Sequence, residues 1–150
     1  FGDAVHCFFV EPTHAPSVVL GLVSGKKEKI CVQDVGIDNI TEADGLAVGR
    51  PSAFASNFID QLVSGIYTIE DEMLFCLLDE LNHEENIFIE PSATAGLIGP
   101  ETILKTDYCE AHQINPENIT HIAWATGGGL MPEITRNQIL KHAEACHHFA

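Results

Sequence analysis

Ala125-Thr126-Gly127-Gly128-Gly129-Leu130-Met131-Pro132 directly follows an apolar run at residues 120–124, and this stretch decides the fold class. The run is typical of a β-strand, and it is followed by three glycines and by a helix that begins at a proline. Glycine has no Cβ, so its backbone can adopt φ > 0 and approach a bound group closely. Pro132 suits the first position of a helix, where its missing N–H is not needed. The stretch indicates an α/β protein with a ligand near this strand end.

The rest of the chain repeats the alternation of strand-like and helical patterns. Apolar runs predict strands at residues 4–10, 29–34, 65–68, 86–90 and 120–125. Helices are predicted at residues 70–84, at about 52–64 with Phe54, Phe58 and Leu62 at four-residue steps, and from Pro132 to about Cys146. The alternation predicts an α/β fold in which helices flank a mostly parallel sheet.

Length and composition allow one packed core. The chain has 150 residues, of which 45% are hydrophobic, so a single domain over residues 1–150 is expected. It starts at Phe1 without Met, and a predicted strand begins almost at once. We therefore expect the chain to be the C-terminal portion of a longer protein.

Charge and cysteine usage exclude several classes of function. A formal net charge of −15 argues against nucleic acid or an anionic membrane as a partner. The five cysteines are scattered without a C-x-x-C pair, so neither a disulfide framework nor a zinc site is indicated. No apolar run reaches the ~18 residues of a membrane span. A cytoplasmic location is expected.

The first strand ends in Val10-Glu11-Pro12-Thr13-His14-Ala15-Pro16-Ser17, a carboxylate followed by Pro and a helix start. Parallel α/β folds place ligands at such strand ends. Glu11 could bind a hard cation together with backbone carbonyls and a hydroxyl such as that of Ser17. Alternatively, it accepts backbone N–H groups at the Pro12 turn, and the pattern alone favours this second interpretation.

The acidic segment at residues 34–45 does not fit a calcium loop. An EF-hand needs Gly at the sixth and Glu at the twelfth position, whereas here Gly36 comes too early and Gly45 takes the Glu position. A plain loop with a helix cap at Thr41 is the simpler interpretation. Asp44-Gly45 also resembles a turn that brings backbone to a ligand.

Ile87-Phe88-Ile89-Glu90-Pro91-Ser92-Ala93 repeats the strand–Glu–Pro pattern. Two such segments in one small sheet predict two carboxylates, from Glu11 and Glu90, at the same sheet edge. Ser92 is the expected N-cap of a helix that runs through Leu104.

Thr126 is the residue that the glycine stretch singles out. Its hydroxyl could donate to a neutral ring nitrogen, or it could bond locally to backbone, and the pattern does not choose between the two. The glycines could also cradle a phosphate, but the P-loop ending and the G-x-G-x-x-G spacing are both absent. The simplest interpretation of the pair His147-His148 is that it forms the frayed end of the last helix.

Together, these segments resemble the C-terminal third of the D-serine dehydratase family, which consists of pyridoxal-phosphate enzymes of the tryptophan synthase β type (fold type II). The resemblance covers nearly the whole chain. Its most specific parts are residues 5–17, residues 32–39 with the following stretch to Arg50, Glu90-Pro91-Ser92-Ala93, and Trp124-Ala125-Thr126-Gly127-Gly128-Gly129.

The resemblance implies α,β-elimination of D-serine to pyruvate and ammonia, with pyridoxal phosphate as electron sink. It implies that Thr126 hydrogen-bonds the pyridine nitrogen beside Gly127, and that Gly45 belongs to a loop on the substrate side of the cofactor. It also implies a cation at Glu11, Ala15 and Ser17. Because Ser17 replaces a carboxylate of related racemases, a monovalent ion, K⁺ or Na⁺, is favoured over Mg²⁺.

The same resemblance places the phosphate-binding glycine loop and the cofactor-binding lysine upstream of Phe1. The triple glycine is therefore not the phosphate cradle, no catalytic residue is expected within these 150 residues, and the upstream half of the enzyme is the expected partner. We predict that the 150 residues alone do not catalyse elimination.

Two alternatives stay open. An L-serine or threonine dehydratase, or a serine racemase, would share the fold, although those relatives tend to carry Ser-Gly-Gly where this chain has Thr126-Gly127-Gly128. A non-catalytic half-domain with a cation site is the alternative of another class.

Overall fold

A two-stranded parallel sheet forms the centre of the first half of the chain. The computed structural model describes residues 2–146. Strand β1 (Phe8–Pro12) pairs with β2 (Gly65–Ile69), in a register that runs from Phe8 opposite Gly65 to Pro12 opposite Ile69. Parallel strands need a long crossover between them, and residues 13–64 provide it. The predicted parallel sheet with flanking helices and the strand at residues 65–68 are confirmed.

Helices make up most of the remaining regular structure. The α-helices are α1 (Ser17–Val23), α2 (Ala53–Leu62), α3 (Asp71–Glu85), α4 (Pro91–Thr94), α5 (Gly99–Leu104), α6 (Tyr108–Ala111) and α7 (Glu133–Cys146). Short 3₁₀ turns occupy Gly2–Ala4, Lys27–Lys29, Val32–Val35, Asp44–Leu46, Ala95–Ile98 and Pro116–Asn118. The predicted helices at 52–64, at 70–84 and from Pro132 to Cys146 are confirmed as α2, α3 and α7. The His147-His148 pair lies outside the described residues.

The chain divides into two compact units, one up to Phe75 and one from Cys76 onward. In the first unit the buried apolar side chains include Val32, Ile69 and Leu74. In the second, Leu78 of α3 packs with Ile89 and Ala93. The single domain expected over residues 1–150 stays a prediction.

Three of the predicted strands are absent from the described structure, and a fourth is shifted. Residues 4–10 give a strand only from Phe8. Residues 29–34 turn instead, because the Asp34 carboxylate accepts the Cys31 N–H over 2.9 Å and Gly36, at φ 87°, ends a 3₁₀ turn. This local bonding replaces the extended conformation.

The runs at 86–90 and 120–125 are irregular rather than β-strand. In the described part of the chain, no backbone–backbone hydrogen bond involves residues 120–126, and Trp124 is 83% exposed. An apolar, β-branched run becomes a strand only where another strand is available to pair with it.

Two predicted helix starts also differ. Helix α4 begins at Pro91, so Glu90 rather than Ser92 takes the N-cap position. The predicted helix from Ser92 through Leu104 is broken into α4, the turn Ala95–Ile98 and α5. Pro132 lies one residue before the first helical residue of α7, and its carbonyl accepts the N–H of Arg136 over 3.0 Å.

Candidate functional site

The Glu11 carboxylate lies at the start of helix α1. Glu11 is the fourth residue of strand β1 and is 8% exposed. Its Oε1 accepts the backbone N–H of Val18 over 2.8 Å, and its Oε2 accepts that of Val19 over 2.9 Å. These N–H groups belong to the first turn of the helix and have no partner within it. Glu11 therefore accepts backbone N–H groups, as the pattern alone favoured, but at the start of α1 rather than at the Pro12 turn.

Ala15 and Ser17 lie beside this carboxylate. The Ser17 hydroxyl is within 3.5 Å of Glu11 Oε1, and the Ala15 carbonyl accepts the Ser17 N–H over 2.9 Å. Both residues are fully buried. Burial raises the pKa of Glu11 above its usual value, and the N–H groups of Val18 and Val19 partly offset this effect. The three predicted residues thus meet in one oxygen-rich turn of the first unit.

Gly45, the third predicted cofactor contact, also belongs to the first unit. It is exposed in the 3₁₀ turn Asp44–Leu46. The loop before it is tied to the start of α3, because the Asp71 carboxylate accepts the Thr41 hydroxyl over 2.5 Å and the Glu42 N–H over 2.6 Å. The Thr41 hydroxyl in turn accepts the Ala43 N–H over 3.1 Å. The position of the Asp44-Gly45 turn is therefore set by contacts to α3.

In the second unit, the Glu90-Pro91 corner packs directly against the triple glycine. The Glu90 N–H donates to the Gly127 carbonyl over 3.1 Å. A Cβ on Gly127 would lie 2.7 Å from Glu90 Oε1, and one on Gly128 would lie 2.5 Å from Glu90 N. Gly128 also has φ +120°, which side chains rarely adopt. The close approach predicted for these glycines is thus made to Glu90.

Thr126 stands exposed next to this corner. The described residues offer its hydroxyl no hydrogen-bond partner, so the local bond to backbone that the pattern allowed is not made. An exposed hydroxyl with no partner among the described residues can donate to a ligand atom. It fits a neutral ring nitrogen such as that of pyridoxal phosphate.

The predicted pairing of Glu11 and Glu90 at one sheet edge does not hold as stated. Residues 86–90 form no strand. Of the two Glu-Pro segments, that of Glu11 therefore lies in the described sheet and that of Glu90 does not. The predicted residues instead fall into two groups. Glu11, Ala15 and Ser17 lie together in the first unit, and Thr126 and Gly127 lie with Glu90 in the second.

A second polar group in the first unit was not predicted as a site. His14 Nδ1 lies 2.8 Å from Asp38 Oδ1, and the Thr13 hydroxyl donates to Glu70 Oε2 over 2.8 Å. These four residues line a cavity of about 300 Å³. The hydrogen bond to Asp38 raises the pKa of His14 above its usual value. The pKa of Asp38 is lowered, first by the backbone N–H of Ile40 that it accepts and then by His14. The partners are 24 and 57 residues apart, so local spacing carried no signal for them.

Residues 2–146 contain no group of three or more His, Cys, Asp or Glu side chains placed to hold a metal ion. None of their helices is both long enough and apolar enough to cross a bilayer. No disulfide joins any of the five cysteines, all of which are described.

Curated proteins of high similarity exist. The chain is 53% identical over 143 residues to a protein of Histophilus somni named "Probable D-serine dehydratase", and 51% identical over 148 residues to one of Bacillus thuringiensis with the same name. These matches cover 93% and 97% of the chain but 33% of each relative. The chain therefore spans about one third of their length. No protein-family model matches it.

Two solved structures of similar fold are a threonine deaminase and a serine racemase by name. The chain superimposes on the processed form of threonine deaminase isoform 2 from Solanum lycopersicum with a TM-score of 0.62, at 22% identity, covering 94% of the chain and 35% of that protein. It superimposes on maize serine racemase with a TM-score of 0.56, at 18% identity, covering 92% and 39%. The predicted fold type II architecture is confirmed.

Proposed function

We propose that this chain, a relative of the D-serine dehydratase family over about one third of its members' length, is part of a pyridoxal-phosphate lyase that converts D-serine to pyruvate and ammonia. The identity of 51–53% to proteins of that name supports the substrate. The single structural observation that carries the proposal is the exposed, unbonded hydroxyl of Thr126 beside the Glu90–Gly127 contact.

Thr126 would hold the pyridine nitrogen of the cofactor. When bound, pyridoxal phosphate would take up the electron pair left at the α-carbon of the substrate. A neutral hydroxyl donates to the ring nitrogen without protonating it, so the ring stays a moderate electron sink. That strength suits loss of a β-hydroxyl. Gly127 would contribute its backbone beside the ring, and Gly45 would contribute backbone on the substrate side.

The part of the chain around Glu11 would bind a monovalent cation, K⁺ or Na⁺. Each carboxylate oxygen of Glu11 accepts one N–H and keeps acceptor capacity, and the Ala15 carbonyl and Ser17 hydroxyl supply further oxygens. A thermal melt in K⁺, Na⁺ or choline chloride at equal ionic strength tests this part. Binding predicts a higher Tm in one of the two metal salts, and three equal values would refute it.

The enzyme would act in the cytoplasm on an amino acid, and it would not bind nucleic acid. It would need the part of the protein that supplies the cofactor-binding lysine. The scattered cysteines, none in a disulfide, suit a reducing compartment.

The test uses a chimera in which this chain replaces the matching third of the Histophilus somni relative. We expect the chimera to release pyruvate and ammonia from D-serine faster than from L-serine, and the 150-residue chain alone to release neither. Preference for L-serine would favour an L-serine or threonine dehydratase. Interconversion of the two serine enantiomers would favour a racemase, and binding without turnover would favour a non-catalytic half-domain.

A further inference from the structure

Helix α2 carries an apolar stripe formed by Phe54, Phe58 and Leu62. Residues at four-residue steps share one face of a helix, so the three side chains form a continuous row. Their exposed fractions are 75%, 54% and 69%. The two phenyl rings contact each other with centroids 4.6 Å apart. Three neighbouring large apolar side chains in water on one helix face mark a surface that another element covers.

The other side of α2 is anchored to the first unit, which fixes the direction in which the stripe points. Ser56 is 1% exposed, and its hydroxyl donates to the Ser52 carbonyl over 2.9 Å. Lys27 Nζ donates to Asn57 Oδ1 over 3.0 Å and pairs with Asp60 Oδ2 over 3.0 Å. The helix thus buries Ser56 and leaves its two phenyl rings exposed. In an ordinary surface helix, the large apolar side chains face the core.

We infer that the apolar stripe of α2 is the docking surface for the part of the enzyme that lies outside these 150 residues. The inference rests on the proposed function, because it takes the chain to be part of a longer enzyme. The curated relatives are about three times as long as the matched region, so enough polypeptide exists to cover the stripe. A second copy of the chain is a poorer occupant, since two chains of net charge −15 repel each other.

Hydroxyl-radical footprinting read by mass spectrometry tests the inference without altering the stripe. Oxidation of Phe54 and Phe58 is measured in the isolated chain, at two protein concentrations, and in the chimera, and low oxidation of the buried Phe75 identifies folded samples. We expect about a fivefold or larger decrease in oxidation of both residues in the chimera, because side chains at the centre of an interface are fully desolvated. Equal oxidation in both proteins would overturn the inference. Protection that grows with the concentration of the isolated chain would also overturn it, in favour of a second copy.

A matched pair of variants adds a second measurement. Phe58→Glu places a charge in the stripe, and Ala53→Glu places the same charge at an exposed position elsewhere on the same helix. In the chimera, we expect Phe58→Glu to return Phe54 oxidation to the level of the isolated chain and Ala53→Glu to leave Phe54 protected. Protection that survives Phe58→Glu would contradict the assignment of the surface.

Turnover of D-serine, measured in the same samples, separates the two proposals. A protected stripe in a chimera that does not act on serine would uphold the docking surface and refute the proposed function. Turnover in a chimera whose stripe is as reactive as in the isolated chain would do the reverse.

Discussion

The N–H of Glu90 donates to the carbonyl of Gly127 over 3.1 Å, and this bond fixes the triple glycine against the Glu90-Pro91 corner. The Glu90 carboxylate lies so close to Gly127 that a Cβ there would be 2.7 Å from Oε1. Two segments that are 37 positions apart in sequence are thereby held at backbone distance. Thr126 is the residue before this contact, and its exposed side chain makes no hydrogen bond to the described residues.

The glycine corner should not tolerate a side chain at position 128. Gly128 has φ +120°, and an added Cβ would lie 2.5 Å from Glu90 N and 2.7 Å from the Ile89 backbone. Gly128→Ala should therefore lower the free energy of unfolding by about 3 kcal/mol or more, from backbone strain and overpacking together. Gly129→Ala is the matched control, because nothing lies within 4 Å of its added Cβ. Urea unfolding should show a much larger loss of unfolding free energy for Gly128→Ala than for Gly129→Ala. Equal losses would contradict the close packing of Gly128 against Glu90.

Removal of the Glu11 carboxylate should expose its capping role. Glu11→Ala leaves the N–H groups of Val18 and Val19 without their acceptors at a buried helix start. We expect a loss of about 1–3 kcal/mol in the free energy of unfolding. Glu11→Gln keeps one oxygen acceptor and should lose less. A larger loss in Glu11→Gln than in Glu11→Ala would contradict the capping geometry.

The ionisation of Glu11 should also give stability a pH dependence. Burial raises the folded-state pKa of Glu11 above 4.5, so the folded protein holds this proton more tightly than the unfolded chain. The stabilisation that comes from this protonated carboxyl is fully present below pH 4.5 and is lost as pH rises through the higher folded-state pKa. Free energies of unfolding measured from pH 4 upward should therefore fall in the native chain relative to Glu11→Gln. If the unfolding free energy of the native chain rose with pH relative to that of Glu11→Gln, the pKa of Glu11 would be lowered by folding and not raised.

His14 should titrate as half of a pair with Asp38. Its pKa is raised above 6.5, chiefly by the hydrogen bond to Asp38, so the stabilisation is present below 6.5 and is lost as pH rises through the folded-state value. Asp38→Asn should return the His14 pKa towards 6.5 in an NMR titration. Asp44→Asn, which removes another exposed carboxylate of the same unit, should leave it unchanged. An unshifted His14 in Asp38→Asn would mean that the pair does not form in solution.

Local patterns in the sequence predicted the helices well. Helix α3 was predicted at residues 70–84 and runs from Asp71 to Glu85, because its apolar spacing and its length both identify a helix without reference to other segments. The same holds for α2 and α7. The strand at residues 65–68 was also predicted correctly, since it has a parallel partner in β1.

The strands that failed depend on information that is not local. Residues 120–125 have the composition of a strand but no backbone partner among the described residues. Residues 29–34 form a turn instead of the predicted strand, because the Asp34 carboxylate accepts the Cys31 N–H. The role of Glu11 was among the predicted alternatives, whereas the His14–Asp38 pair arises only from tertiary folding and left no trace in the sequence.

We propose that the Thr126 hydroxyl holds the pyridine nitrogen. The kcat for pyruvate formation from D-serine, measured in the chimera and in its position-126 variants, tests this role. Thr126→Val removes the hydroxyl at nearly constant volume, and we expect kcat to fall about 10- to 100-fold, which corresponds to about 1.4–2.7 kcal/mol. Thr126→Ser keeps the hydroxyl and should retain most of the activity. A Thr126→Val chimera with unchanged kcat would contradict the account.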